Sequence, residues 1–509
     1  MFSKIRSLVS TWGPRRWMIA GGILAMATVV FANYLPQLQY FLDPMGVTST
    51  LNVNGPSNTS NNPFFQSLGT NGRTCATCHV AANNMGLSAQ RAKLVFLATD
   101  GNDPLFASVD GANCPNAAPN DLAAHSLLVG YGLFRIALTV PVGAEFQIRA
   151  IHDPYGCAIV TDPVSGQQTV SVYRRPLPAT NLGFLSAVMA DGRETIQPLT
   201  NPATFQANLF ADLAHQALDA TTGHAQATTP PTDAQLTGIV NFELGLYSAQ
   251  SFSTNARSLA VDGAQGGVAA LSQQAYHPGI NDTLGQDPFG SPFNPVVFTT
   301  FTQWANGAPD SDEPLSVVQA RQAIAAGETI FNTHPLTIAN VRGLNDNPAV
   351  AAALGTSLPV PAFQGTCTTC HDAPNVGDHS EPLPLDIGTI HDPAAETDPS
   401  ILNALSQLSL PDLPIYAITG CANPFPSADD PSPYVIYTTD PGKALISGKC
   451  ADVNRTKGPI LRGLAARAPY FHNGAARDLN EVVNFYNQRF QMNLTDDEKA
   501  ELVAFLNSL

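Results

Sequence analysis

Two stretches could carry chemistry at once: Cys75–His79 reads CATCH, and 292 positions later Cys367–His371 reads CTTCH. On a helix, positions i, i+3 and i+4 share one face, so two thiols and an imidazole can address one flat group lying against it. Thiols at this spacing can form thioethers to the two vinyl groups of a haem, and the adjacent histidine can then reach the iron. A thioredoxin-like redox pair has no need of the following histidine. A zinc site calls for a second ligand pair nearby, and none follows either motif. The pattern therefore points to two covalently bound haem c groups, held by Cys75, Cys78, Cys367 and Cys370, with His79 and His371 as iron ligands.

The other four cysteines are Cys114, Cys157, Cys421 and Cys450, an even number. In an oxidising compartment disulfides are the default. Pairing Cys114 with Cys157 and Cys421 with Cys450 closes each loop inside one expected domain; four buried free thiols are the alternative.

That compartment is suggested by the N-terminus, where Lys4, Arg6, Arg15 and Arg16 precede the uncharged apolar run Trp17–Leu35, WMIAGGILAMATVVFANYL. It reads as an export segment for a periplasmic protein, and the paired arginines as orienting charge. Cleavage after Ala32 and retention as an inner-membrane anchor are both open, because nineteen apolar residues just span a bilayer.

The 509 residues suffice for two or three domains, and a composition 44% hydrophobic and 13% charged suits a packed, loop-rich chain. A formal charge of -16 repels nucleic acid and favours basic protein partners. Met45–Pro63, rich in Asn, Ser, Thr and Gly, reads as linker, and a second break falls at Trp304–Ser316. The expected division is 1–35 signal or anchor, 36–62 linker, 63–310 N-terminal haem domain and 311–509 C-terminal haem domain. Each half holds one C-x-x-C-H and two later cysteines.

Phe134–Ile151 patterns as strand, whereas Ala234–Gln250, the stretch VVQARQAIAAGETIF and Glu481–Phe490 pattern as helix. Thr495 and Glu498 have capping-box spacing ahead of a helical stripe through Ala500, Val503, Leu506 and Leu509. The expected class is mainly α, with strand-bearing insertions behind an N-terminal export or anchor helix.

Beyond the haem motifs, three stretches carry a resemblance: RRPLPATNLGFLSAVMADGRE (Arg174–Glu194), GETIF (Gly327–Phe331) and KGPILRGLAARAPYFHNGAARDLNEVVNFYNQRF (Lys457–Phe490). With both motifs they resemble the di-haem cytochrome c peroxidases, including the di-haem enzyme of methylamine utilisation, over roughly Phe64–Leu509 with long unmatched insertions. The resemblance implies two cytochrome c-like domains and a division of labour. Hydrogen peroxide would be split at the N-terminal haem, on His79. The C-terminal haem, on His371, would take electrons from a small cytochrome c or cupredoxin.

In the family the second haem's distal ligand lies fourteen residues beyond the signature histidine, as methionine or, in the methylamine enzyme, tyrosine. Counting from His472 reaches Tyr486, and Met492 is the alternative ligand. A tyrosine ligand favours ferric and higher-valent iron, and so oxidative chemistry on a protein or organic substrate. His472 itself is expected to support the haem rather than bind its iron. The family's tryptophan before Asp-Gly-Arg is replaced by Ala190, and its distal glutamate is missing at the usual spacing. LDATTGHAQA (Leu218–Ala227) offers His224 and Gln226 instead; a neutral imidazole could take a proton from peroxide and return it to the leaving oxygen. His125 and His215 are weaker candidates. Arg193 and Arg462 are expected to pair with haem propionates or to fix the domain interface. The resemblance also implies calcium between the domains, with Asn181 and the Pro469 carbonyl as contributors. The missing tryptophan and glutamate keep a non-catalytic di-haem electron carrier open as well.

Overall fold

The computed structural model describes residues 33–306, 313–375, 380, 383–426 and 434–509. The export segment up to Ala32 and part of the Trp304–Ser316 break lie outside these residues.

The expectation of a mainly α chain is overturned: 31% of the structure is helix and 16% strand, and the strands form five small sheets among the described residues. One reason is that polar, β-branched residues form a buried strand which a hydropathy pattern does not reveal. Gly46–Asn52 (GVTSTLN), inside the stretch expected to be linker, is an inner strand of the four-stranded sheet and pairs antiparallel with Leu38–Asp43 and Leu246–Ser253. Thr48, Ser49 and Thr50 are buried there because their hydroxyls find partners, Thr48 on Asn84 Oδ1 at 2.6 Å and Thr50 on Ser248 at 2.8 Å. The apolar stretch Ala234–Gln250 likewise divides, into a helix Asp233–Leu244 and the strand from Leu246.

Other local expectations hold. Phe134–Ile151 forms two strands, Phe134–Thr139 and Gln147–His152. Helices occupy Leu315–Thr333, Leu479–Arg489 and Asp496–Leu506, the last with the Thr495/Glu498 capping box in place. The helix Leu315–Thr333 packs on the last helix at Gly327, where an added Cβ would stand 2.0 Å from the Glu501 carbonyl oxygen. No larger residue permits that approach. Around it Phe298 meets Phe331 and Phe505 edge to face in the largest core among the described residues.

The halves are interlocked. Gln147–His152 pairs antiparallel with Ile415–Thr419, which pairs in turn with Ile436–Thr438, so one sheet draws strands from both sides of the expected boundary at 310/311. Tyr416, fully buried, donates from this sheet to the Ser171 carbonyl at 2.5 Å. Both expected disulfides are present, Cys114–Cys157 and Cys421–Cys450, with Cα separations of 5.9 and 5.4 Å.

Candidate haem sites

The two C-x-x-C-H motifs share a local device that the surrounding threonines supply. Thr77 Oγ1 accepts from the Thr74 backbone at 3.0 Å, and Thr369 Oγ1 accepts from the Thr366 backbone at 2.9 Å. Each tightens a single turn that begins at the first cysteine. The turn brings the histidine amide onto the first cysteine's carbonyl, at 3.0 Å for both His79 on Cys75 and His371 on Cys367. None of the four motif cysteines is in a disulfide. Burial raises the thiols of Cys75, Cys78 and Cys367, the latter two to about 12, which suits neutral sulfur committed to a covalent link better than a reactive thiolate.

Cys75, Cys78 and His79 line a cleft enclosing about 1470 Å³ of empty space, part of it open to solvent. His79 Nδ1 donates to the Met85 carbonyl at 3.0 Å, which fixes the tautomer and leaves Nε2 as the nitrogen that could bind a metal. Burial lowers its pKa, so the ring is neutral, and Phe64 packs 6.3 Å from it, centroid to centroid.

The rest of the lining comes from far along the chain. Arg175 is partly buried with no carboxylate against it among the described residues, and burial pushes its pKa down to about 9. Its Nε is buried and has no hydrogen-bond partner among those residues. A guanidinium with a buried, idle N–H at the cleft fits a group that brings its own carboxylates, as haem does with its propionates. Arg193, also in the lining, contacts both oxygens of Asp191 at 3.1 Å and stands 3.8 Å from Glu194.

His224 is in the lining as well, but half-exposed, and its Nδ1 is held by Asp110. Arg73 holds the other oxygen of Asp110, and together they keep that carboxyl below its ordinary pKa despite burial. Gln226 is not in the lining: its backbone is left-handed and its side-chain oxygen faces Asn71. His125 is fully buried with both ring nitrogens on backbone carbonyls, and His215 sits on Glu194 at 2.8 Å; neither lines the cleft.

Arg175 was not among the residues singled out from the sequence, and neither was Glu243. Glu243, on the helix Asp233–Leu244, is buried, and its Oε2 has no partner among the described residues. Burial alone pushes its carboxyl up to about 8. The available signal was one acidic residue inside the apolar run IVNFELGL.

The second motif lines a smaller cavity, about 410 Å³, walled by aliphatic residues, Phe490 and Tyr486. Tyr486 thus shares a cavity with Cys367, Cys370 and His371, and its phenol is pushed above the usual range first by burial and then by the two thiols. Phe331 packs 5.8 Å from the His371 ring, as Phe64 does on His79. Met492 is not in that lining; it is buried in the largest core.

Arg462 lines neither cavity. It donates to the carbonyls of Asn375 and of Pro374, the latter at 3.1 Å, and so holds the loop that follows the second motif. His472 stands 3.5 Å from Asp440 Oδ2 and reaches neither cavity. Asp440, Arg174, Asp191 and Arg193 continue from it as a buried ionic chain to the first cleft. The structure also gives the expected calcium contributors other partners. Asn181 exchanges two hydrogen bonds with the backbone of Ser248, both at 3.0 Å, and the Pro469 carbonyl accepts from the Arg175 guanidinium.

No family model matches the chain. A cytochrome-c peroxidase IdrP2 of Denitromonas iodatirespirans is 34% identical over 154 residues, 29% of this chain and 36% of that protein. The cytochrome c551 peroxidase of Nitrosomonas europaea is 37% identical over 79 residues, 15% of this chain and 23% of that one. The matches therefore span about a third or less of the length of these curated relatives. A solved MauG-like protein associated with microbial copper homeostasis is 14% identical over 70% of this chain and 79% of that one; its TM-score of 0.27 is too low to carry an argument. The relatives' names agree with the resemblance carried by the haem motifs and the Lys457–Phe490 stretch: over part of its length the chain is similar to cytochrome-c peroxidases.

Proposed function

We propose that the chain is an exported, periplasmic di-haem c-type peroxidase that reduces hydrogen peroxide with electrons from a small redox protein. The observation that carries this reading is the asymmetry of the two cavities. The first is large, open and lined by arginines, His224 and a buried carboxyl, whereas the second is small and aliphatic with a tyrosine facing the motif. A roomy cleft with charged groups in its lining suits a small reactant, and a small aliphatic one suits electron transfer.

Haem c, bound at the first motif, supplies the redox-active iron at which an O–O bond can be cleaved. Reducing one peroxide to two waters consumes two electrons and two protons. Glu243, neutral below about pH 8, holds a proton inside the cleft near Cys75. His224 is oriented by Asp110 at the cleft's exposed side, where it can pass protons to and from solvent. Arg175 and Arg193 orient the cofactor's carboxylates, and the open mouth admits peroxide.

The test is stopped-flow oxidation of a reduced small cytochrome c by peroxide, with the protein matured in a host that attaches haem c. Turnover that falls at least tenfold in Glu243→Gln or His224→Ala supports the roles given; unchanged kinetics in a variant removes that residue. A protein carrying both haems that turns over no peroxide overturns the reading in favour of an electron carrier. The position of Tyr486 favours a second reading, oxidation of a protein or organic substrate by the same architecture.

A further inference from the structure

The strand Leu38–Asp43 is the edge of the four-stranded sheet, and its alternation runs opposite to the usual one. Leu38, Tyr40 and Leu42 point outward, 37%, 63% and 87% exposed, while Gln39, Phe41 and Asp43 are turned inward and partly buried. Register extends the outward face across the sheet at the Leu42 row only, since Tyr40 lies opposite the buried Ser49 and Leu38 opposite Leu51, which packs on a core. Leu42 lies opposite Val47, and Val47 opposite Phe252, itself 40% exposed. Edge strands are ordinarily guarded by charge or proline. Here the sole charge from Asn33 to Gly72 is Asp43, and its carboxylate is engaged by the Met45 amide at 2.7 Å and Gln250 Nε2 at 2.9 Å. In a chain of net charge -16, an uncharged apolar face of this extent requires a cover.

We propose that this face seats on the surface of a lipid bilayer. The occupant is indicated by what precedes it. The apolar run that starts at Trp17 ends in the short strand Tyr34–Leu35, which pairs with Ser57–Asn58 and packs Leu35 on the core around Phe64. From Asn33 to Leu42 an extended chain reaches at most about 32 Å. Wherever the run ahead of Asn33 enters a membrane, the strand lies within that reach of its surface. The outward side chains suit that position, since tyrosines settle at the headgroup level and leucines reach the acyl boundary. No lysine or arginine lies between Asn33 and Gly72, so the contact needs no anionic lipid and is insensitive to salt. This proposal is independent of the peroxidase reading.

The experiment uses the full chain with Leu42→Cys or Tyr40→Cys, and Val164→Cys, 95% exposed in the turn between two other strands, as control. Each is labelled with an environment-sensitive fluorophore and mixed with phosphatidylcholine vesicles containing spin-labelled lipid. Several-fold quenching with a blue shift at positions 40 and 42, none at 164, and no change in molar salt is the expected result. Equal quenching at all three positions, or a chain that stays off the vesicles, overturns the proposal. Pyrene excimers from position 42 without lipid would also overturn it, by placing a second copy on the face.

Discussion

Arg174 holds Asp440 across 266 positions of chain, with Nε on Oδ2 at 2.6 Å and a terminal nitrogen on Oδ1 at 2.9 Å. The same guanidinium binds Asp191, and all three side chains are almost wholly buried. One cation thus bridges two carboxylates from opposite sides of the expected domain boundary, and Arg193 supplies the second positive charge at Asp191. Removing one partner leaves an uncompensated buried charge, a loss of about 3 to 5 kcal/mol. Arg174→Leu should therefore lower unfolding stability by that order in denaturant titrations, and Asp440→Asn by less, since Asp191 still faces the cation.

The pH dependence of that pair has a definite sign. Burial alone would raise the Asp440 carboxyl, but Arg174, and then His472, bring it well below its ordinary 3.8. Its contribution is fully present above about pH 4 and is lost as pH falls through the depressed value. Asp440→Asn should flatten the acid limb of stability against pH; a limb as steep as the wild type's would assign acid unfolding to other carboxyls.

Glu243 has the opposite sign. Its carboxyl rises from 4.5 unfolded to about 8 folded, so between those values the folded chain keeps a proton that the unfolded chain releases. Stability therefore falls as pH rises from about 4.5 to 8 and levels above. Glu243→Gln should remove this slope and leave the variant more stable than wild type above pH 8, by on the order of a few kcal/mol. An identical slope in both proteins would show Glu243 ionised with a partner.

What the sequence disclosed was what covalent chemistry and periodicity constrain. Thioether attachment demands two thiols at fixed spacing with a histidine after them, so Cys75–His79 and Cys367–His371 stood out. Four remaining cysteines paired within loops, and the stripe from Thr495 to Leu509 obeyed helical period. Burial of polar groups was illegible, because it depends on partners distant in sequence. Thr48 is buried thanks to Asn84, and Arg174 thanks to Asp440. Glu243 lies in an apolar helix whose pattern alone says core. Met492 was offered as a thioether and Gln226 as a neighbour of His224, and neither lines a cavity.

Arg175 predicts indifference to calcium. Its guanidinium donates to the Pro469 carbonyl and, at 2.8 Å, to the Leu87 carbonyl, so a cationic side chain already joins two segments 88 and 294 positions away from it. Calcium requires six to eight oxygens. With Pro469 and Asn181 otherwise engaged, exhaustive chelation should leave the thermal midpoint and peroxide turnover unchanged. A drop of several degrees on chelation, reversed by added calcium, would show that the cation competes successfully for the Pro469 carbonyl.

Tyr486 and Met492 make the sharpest test of the second cavity. Tyr486 lines it together with both thiols and His371, whereas Met492 is packed among the aliphatic and aromatic side chains of the largest core. Tyr486→Phe deletes one oxygen and conserves the ring that stacks on Phe490 at 5.7 Å, so the fold is kept. Its ferric electron paramagnetic resonance spectrum should lose the low-spin signal of the second haem, while that of Met492→Leu should match the wild type. If Met492→Leu alters the signal and Tyr486→Phe does not, the last turn before Leu494 must move to bring sulfur to the iron. The electron-transfer haem would then have a thioether ligand, which raises its potential and returns the chemistry to plain peroxide reduction.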